Sequence, residues 1–179
     1  LYHHDIQVPV PARKMTTARL AYICALLLTS HSLCDAQTLG PFNITETEEL
    51  NEVWLNPGFY SYHFERDKGL DDNNIGLGAE YRFSTVNTIT TGRFHNSDLR
   101  ISNYAAWCWQ PLELGSLRFG LLLGAIDGYP QANDGGWFPL VLPVASFEYN
   151  KFGFNLTAVP TYKDRLHGSL SLQLKLRVF

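Results

Sequence analysis

Two side chains of the sequence could perform chemistry together, because each stands at the end of a strand-like segment. His63 lies in Tyr62-His63-Phe64, and Ser97 follows Asn96. An imidazole that titrates near neutral pH and a neighbouring hydroxyl are the minimal equipment for acyl transfer. His95 is an alternative base, although its position beside Ser97 on one strand end fits an exposed site better. Taken alone, the pair is better explained by ordinary polar residues of surface loops.

The segments that must position these residues alternate between apolar residues and residues of other kinds. Apolar residues occupy every second position, and small, polar or charged residues lie between them. The clearest segments are 75–83, 117–125, 152–158 and 170–176. Because successive side chains of a strand point to opposite faces, each segment predicts a β-strand with one apolar face.

Eight such strands follow one another along the chain. We place them at about 58–66, 74–83, 85–95, 98–110, 114–126, 136–149, 152–162 and 168–179. Their connections are alternately tight and long, which is typical of a barrel that crosses an outer membrane. An even number of strands closes the sheet and leaves no edge facing lipid. The sequence therefore predicts an all-β protein whose residues 58–179 form an eight-stranded antiparallel transmembrane (outer-membrane) β-barrel.

A soluble eight-stranded barrel of the lipocalin type is the main alternative fold. It would turn its apolar face inward and its polar face to water. Charged residues on the small-residue face argue against it, because they pair more readily inside a narrow lumen. These residues are Glu80, Arg82, Arg100, Arg118, Glu148 and Lys175.

The N-terminal part of the chain predicts export to the bacterial outer membrane. Residues 1–14 carry no interpretable pattern, and residues 15–36 have the form of a cleaved signal peptide. The apolar run 20–28 has nine residues, too few to span a membrane. A buried N-terminal helix is the alternative. Residues 37–57 would follow as an N-terminal amphipathic segment, in which 45–54 forms a short helix.

Composition and cysteine content narrow the possible partners. The chain has 14 Lys and Arg against 17 Asp and Glu, so it is not basic enough to suggest a nucleic-acid partner. Removal of the signal peptide would leave Cys108 as the single cysteine, without an intramolecular disulfide or a cysteine metal cluster. We expect a single-domain monomer in the membrane, without metal or cofactor.

The lumen of an eight-stranded barrel is wide enough for side chains or for one slim ligand. Leu122, Leu140 and Leu142 make its upper part apolar, which suits a hydrocarbon chain. The alternative is that these side chains simply fill the interior. Pro143 and Pro160 lie in consecutive predicted strands, and each removes a ladder hydrogen bond. If the two prolines face each other, the wall has a local gap there that could admit lipid.

At these residues the sequence resembles the outer-membrane lipid A palmitoyltransferases (PagP), over most of residues 43–179. Members of that family carry a catalytic His at the top of the first strand, which His63 matches. They carry an Asp-Ser pair at the top of the third strand, where this chain has Asn96-Ser97. The best local match is 142–146, followed by Val159-Pro160, which looks like the proline-flanked gap of the family.

The resemblance implies an acyltransferase that moves a fatty acyl chain from a phospholipid to lipid A or another outer-leaflet acceptor. His63 would be the general base, and Ser97 would orient the reacting carbonyl or form a covalent intermediate. Asn96 takes the place of the acidic residue of the family, and Asp98 could substitute for that residue. Cys108 lies near the position of the family's lumen floor, which predicts a chain shorter than palmitate. A non-enzymatic structural or lipid-binding barrel and a lipid hydrolase with the same residues are the alternatives.

Overall fold

The computed structural model describes residues 38–162 and 166–179, so the predicted signal peptide and the residues before it lie outside the described residues. The strands are β1 (Thr38–Leu39), β2 (Phe42–Ile44), β3 (Glu49–His63), β4 (Asn73–Ser84), β5 (Asn87–His95), β6 (Ile101–Leu114), β7 (Leu117–Ile126), β8 (Phe138–Tyr149), β9 (Phe152–Val159) and β10 (Ser169–Arg177). Two single turns of 3-10 helix lie at Arg66–Lys68 and Asn133–Gly135. No helix of the described residues has the length and apolar character needed to cross a membrane.

Strands β3 to β10 form a closed antiparallel barrel of eight strands. Each strand pairs with the next one along the chain, and β10 pairs with β3 to close the ring. The hairpin β1–β2 extends the sheet beside the last residues of β6, where Asn43 pairs with Glu113. The predicted eight-stranded antiparallel transmembrane barrel is confirmed.

The first barrel strand begins earlier than predicted, and the helix expected at 45–54 is wrong. Strand β3 starts at Glu49, not at residue 58. Within the supposed helix, Val53 pairs with Tyr81 and Trp54 pairs with Glu80. The Trp54 side chain is only 1% exposed and lies under the Lys175 ammonium. Pairing with β4 satisfies the backbone of this segment and buries its large aromatic side chain, which an isolated surface helix could not do.

The two ends of the barrel differ in the length of their connections, as the sequence predicts. At one end the turns between β4 and β5, β6 and β7, and β8 and β9 contain only two residues each. Gly115, with φ of 60°, supplies the left-handed conformation that one of these tight turns requires. At the other end the loops are 64–72, 96–100, 127–137 and 160–168. We call this the long-loop end, and it carries both His63 and Ser97.

The two faces of the wall differ as the alternation predicts. Ile75 and Leu77 on the outer face are each 69% exposed, and Leu174 is 60% exposed. The inward Glu80 and Lys175 are 4% and 6% exposed. This arrangement is the reverse of a soluble barrel, and an apolar outer wall is stable against lipid rather than against water.

The end of the lumen far from the long loops is filled by a charge cluster. Lys175 Nζ lies 2.9 Å from Glu80 Oε2 and 2.7 Å from Glu148 Oε1. Glu148 also pairs with Arg82, at 2.7 Å, and with Arg118. Each buried charge therefore has a partner, as burial of ionised groups requires. The cluster closes this end of the lumen and leaves the long-loop end as the place for a site.

Candidate functional site

His63 is the last residue of β3 and contacts a carboxylate that the sequence analysis did not identify. Its Nδ1 atom lies 2.8 Å from Oδ1 of Asp72, the last residue before β4. Antiparallel pairing of β3 with β4, up to Tyr60 with Asn73, brings the two residues together. An ionised carboxylate only accepts hydrogen bonds, so Nδ1 carries the proton and Nε2 is the basic nitrogen.

Asp72 is held in place and in its ionised form by two donors. The hydrogen bond from His63, and then the one from Arg66 at 2.7 Å, keep the pKa of Asp72 below its ordinary value. Its backbone carbonyl accepts the Ser61 N–H at 2.8 Å. Asp72 is therefore a carboxylate at neutral pH and orients the His63 ring, as an acidic residue does in hydrolytic triads.

Ser97 belongs to a network of neutral hydrogen bonds along the lumen wall. Asn74 Nδ2 donates to Ser97 Oγ at 3.4 Å, and Asn74 Oδ1 accepts the Ser61 hydroxyl at 2.7 Å. The Ser61 hydroxyl also lies 2.8 Å from that of Ser171. Among the described residues, the Ser97 hydroxyl has no hydrogen bond to a base, so its surroundings favour a hydrogen-bonding role over a covalent one.

His63 and Ser97 line the same cavity, and one short chain segment, Asp71-Asp72, contacts both of them. Both residues line the lumen, and they are only 5% and 8% exposed. The Asp71 N–H donates to the Ser97 carbonyl oxygen at 3.0 Å, and Asp71 is the neighbour of Asp72. One short segment thus holds the His63 partner and the Ser97 backbone together.

Asn96 has no hydrogen bond to His63 among the described residues, and its predicted place in the catalytic site stays a prediction. It is completely buried, and its Nδ2 donates to Ser102 Oγ and to the Gly128 carbonyl oxygen, both at 2.9 Å. Its Oδ1 accepts the backbone N–H groups of Asp98 and Arg100 at 3.0 and 2.9 Å. All of these bonds shape the loop between β5 and β6. Asn96 therefore shapes the loop that carries Ser97, and Asp72 is the carboxylate that contacts His63.

The lumen cavity has one apolar side and one polar side. The apolar side comes mainly from β6, β7 and β8 and includes the three predicted residues Leu122, Leu140 and Leu142. The polar side comes from β3, β4 and β10, where the serine and asparagine network lies. The cavity volume is about 140 Å³, and one water needs about 10–15 Å³ on this measure. Roughly ten groups the size of a methylene would therefore fit.

Tyr104 narrows the lumen partway down. It projects from β6 over Gly92, where an added Cβ would lie 2.6 Å from the ring, and over Gly78. Its hydroxyl faces Asn56 and neighbouring polar groups, yet has no partner at hydrogen-bonding geometry. Cys108, the predicted floor residue, is 7% exposed and also lines the cavity, two inward-facing positions further along β6 than Tyr104. A chain entering from the long-loop end meets Tyr104 before Cys108.

The wall is unpaired where the prolines predict a gap. Strand β8 pairs with β7 from Phe138 onward, but its pairing with β9 begins only at Val144 opposite Thr157. Pro143 is the residue just before that point. Pro160 lies one residue beyond the end of β9 rather than inside it, which corrects its predicted position. The seam between β8 and β9 is therefore open toward the long-loop end.

The open seam adjoins an apolar groove on the outer wall. The groove has a volume of about 580 Å³ and is lined by residues such as Trp109, Leu156 and Pro143. Val144 lines both this groove and the lumen cavity. This side chain is thus the partition between the membrane-facing groove and the lumen.

The described residues show no group of three or more His, Cys, Asp or Glu side chains that could hold a metal ion. The side chains of the site that could take part in chemistry are those of His63, Asp72 and Ser97. Asp72 was missed because no local pattern marks it. The available signal was its position, since Asp71-Asp72 directly precedes a strand whose start lies at the same end as His63.

Comparisons with known proteins bear on the fold. No protein-family model and no curated protein matches the sequence. Among solved structures, the solution NMR structure of the de novo designed TMB2.3, a transmembrane β-barrel, is similar with a TM-score of 0.50 and 15% identity. The match covers 72% of this chain and 95% of that one. What the two proteins share is the fold.

Proposed function

We propose that this protein is an outer-membrane acyltransferase that moves a fatty acyl chain from a phospholipid to lipid A or another outer-leaflet acceptor. The observation that supports the proposal most is the pair of buried His63 and half-buried Asp72 at the mouth of a partly apolar lumen. A base oriented by a carboxylate is what activation of a hydroxyl requires. The site lies at the end of the barrel that carries the long loops.

The reaction can be written with the residues at the site. His63 Nε2 removes the proton from the acceptor hydroxyl, and the resulting oxygen attacks the ester carbonyl of the phospholipid. The imidazolium formed is stabilised by Asp72, 2.8 Å from Nδ1. Collapse of the tetrahedral intermediate breaks the ester bond, and the imidazolium returns its proton to the departing lysophospholipid. The Ser97 hydroxyl donates a hydrogen bond to the carbonyl oxygen, where negative charge develops.

The barrel wall offers a path for the acyl chain. The open seam between β8 and β9 lies next to the membrane-facing groove, and Val144 separates that groove from the lumen. Leu140 and Leu142 continue the apolar surface inside. An apolar lumen surface replaces the lipid contacts that the chain leaves, so the lumen can hold the chain without a hydrophobic penalty while the ester stays at His63.

The test compares single variants that remove one function each. His63→Asn and Ser97→Ala are expected to lose most acyl transfer, whereas Lys151→Gln, in the exposed turn between β8 and β9 at the other end of the barrel, keeps it. Mass spectrometry of lipid A and of released fatty acid from cells that express each variant measures both products. Unchanged lipid A acylation in the His63 and Ser97 variants would overturn the proposal. Free fatty acid without a heavier lipid A would instead identify a lipid hydrolase.

A non-enzymatic lipid-binding barrel is the second candidate, because the Tyr104 ring crosses the lumen and is packed among other rings. Its centroid lies 5.7 Å from that of Phe59 and 6.0 Å from that of Phe94. If the interior is permanently closed there, a lipid chain could be held but not processed. Retained phospholipid without any acylated or hydrolysed product, in the wild type and in every variant, would favour this candidate.

A further inference from the structure

Two arginines and one histidine lie together on the outer surface where β5 meets β6. Arg93 and His95 point outward from the last part of β5, and Arg100 stands in the loop that follows. All three are exposed. These three residues lie at the long-loop end, where the apolar outer wall gives way to the polar loops.

Arg93 and Arg100 differ from the other arginines of the described residues, because neither has an ion pair within 4.0 Å to a carboxylate of those residues. Arg66, Arg82, Arg118 and Arg177 each have a carboxylate partner. Two acidic side chains stand on the neighbouring elements without an ion pair to either arginine. Asp127 binds the backbone N–H and side chain of Asn103, and Asp98 lines the lumen. Exposed guanidinium groups without an ion-pair partner among the described residues are available to an external anion.

The loop that carries Arg100 is held in one shape by buried Asn96. The Asn96 side chain accepts the backbone N–H groups of Asp98 and Arg100, and its backbone N–H donates to the Arg100 carbonyl oxygen at 2.8 Å. This tight turn forces Leu99 to a φ of 57°, and its side chain is 72% exposed. A leucine held in the left-handed region and projecting from the rim is unfavourable by itself, which points to a use for the loop.

Apolar side chains lie directly beside the cations. Leu77 pairs with Arg93 across the strands and is 69% exposed, and Ile101 pairs with His95 and is 45% exposed. A ligand that touches both sets must carry a negative charge and an apolar body. A lipid with an anionic headgroup has this combination, because its chains can contact the apolar wall while its headgroup contacts the arginines toward the long-loop end.

We propose that Arg93, His95, Arg100 and Leu99 form a binding site for the phosphate-bearing headgroup of an anionic lipid. Ser97 points into the lumen from the same loop that presents Leu99 and Arg100 outward. The lipid headgroup is therefore held beside the candidate reaction centre. That the bound lipid serves as the acyl acceptor rests on the proposed function, whereas its binding does not.

The test is lipid retention measured by native mass spectrometry on the full-length mature protein in detergent micelles. Phosphatidylglycerol is the anionic probe, and phosphatidylcholine with the same chains is the zwitterionic one. Arg93→Gln combined with Arg100→Gln is expected to weaken phosphatidylglycerol retention at least tenfold and to leave phosphatidylcholine unchanged. Lys68→Gln combined with Lys151→Gln is the matched control, since it removes two exposed cations elsewhere on the barrel.

Two results would overturn the site. One is equal phosphatidylglycerol retention by the arginine variant and the wild type. The other is an equal loss in the lysine control, which would show an effect of net charge alone. Charge-dependent retention at Arg93 and Arg100 in a protein that transfers no acyl chain would support the headgroup site and remove only the proposed function.

Discussion

Replacement of Asp72 by Asn tests whether the Asp72 carboxylate supports His63 as a general base. The amide keeps the size of the side chain but removes the charge that stabilises an imidazolium at His63, 2.8 Å away. A hydrogen bond to a charged group contributes about 1.5–3 kcal/mol, and each 1.36 kcal/mol is about tenfold in rate. Because Asp72 is 16% exposed and also bonds Arg66, we expect the lower part of that range, a loss of roughly tenfold to thirtyfold.

The assay is the initial rate of acyl transfer from a phospholipid with a labelled acyl chain to lipid A in mixed micelles. Asp71→Asn is the matched control, because the Asp71 side chain accepts only the Asn73 N–H, at 2.9 Å, and an amide oxygen can do the same. The control is expected to keep nearly the full rate. Equal rates for the Asp72 and Asp71 variants would refute the role assigned to the His63–Asp72 pair.

Three further results are expected. Tyr104→Ala should shift the transferred chains toward longer ones, by at most about fourfold in preference for each methylene, which is the factor for transfer from water at about 0.8 kcal/mol. Cys108→Gly alone should shift them less, and product mass spectrometry would measure both shifts. Asn96→Ala should lower the free energy of unfolding by about 2–4 kcal/mol, because the four hydrogen bonds of a buried side chain are lost, and guanidinium titration in detergent should reveal the change. The lowered pKa of Asp72 stabilises the folded loop above the ordinary carboxyl pKa of about 3.9. This contribution disappears as the pH falls through the lower folded value, so the protection of the amides of loop 64–72, measured against the intrinsic exchange rate at the same pH, should fall in acid for the wild type and much less for Asp72→Asn.

The identity of the faces and the number of strands could be predicted because they depend on alternation within each strand. In β10 the alternate leucines from Leu170 to Leu176 face one side of the wall, and the polar residues between them face the other, whatever the neighbouring strands are. The even strand count follows from the requirement that no edge faces lipid. The same parity places His63 and Ser97 at one end, since each lies at the finish of an odd-numbered barrel strand.

The start of β3 could not be predicted in the same way. Residues 49–54 contain polar and apolar residues that suit a helix or a strand, and no local feature decides between them. The decision comes from pairing with β4 and β10, which lie far along the chain. The burial of Trp54 beneath Lys175 is part of that long-range arrangement. Local propensity is weak compared with such pairing.

The sequence by itself determined the barrel, the apolar outer wall and the end at which the polar residues gather, because these depend on a period of two and on chain order. Only the tertiary structure decided that Asp72, rather than Asn96, reaches His63, and that Tyr104 crosses the lumen above Cys108. Register, loop shape and the reach of a side chain across a closed wall join residues that no spacing in the sequence relates. A difference of a few ångströms decides whether such residues share a hydrogen bond, and periodicity does not carry that information.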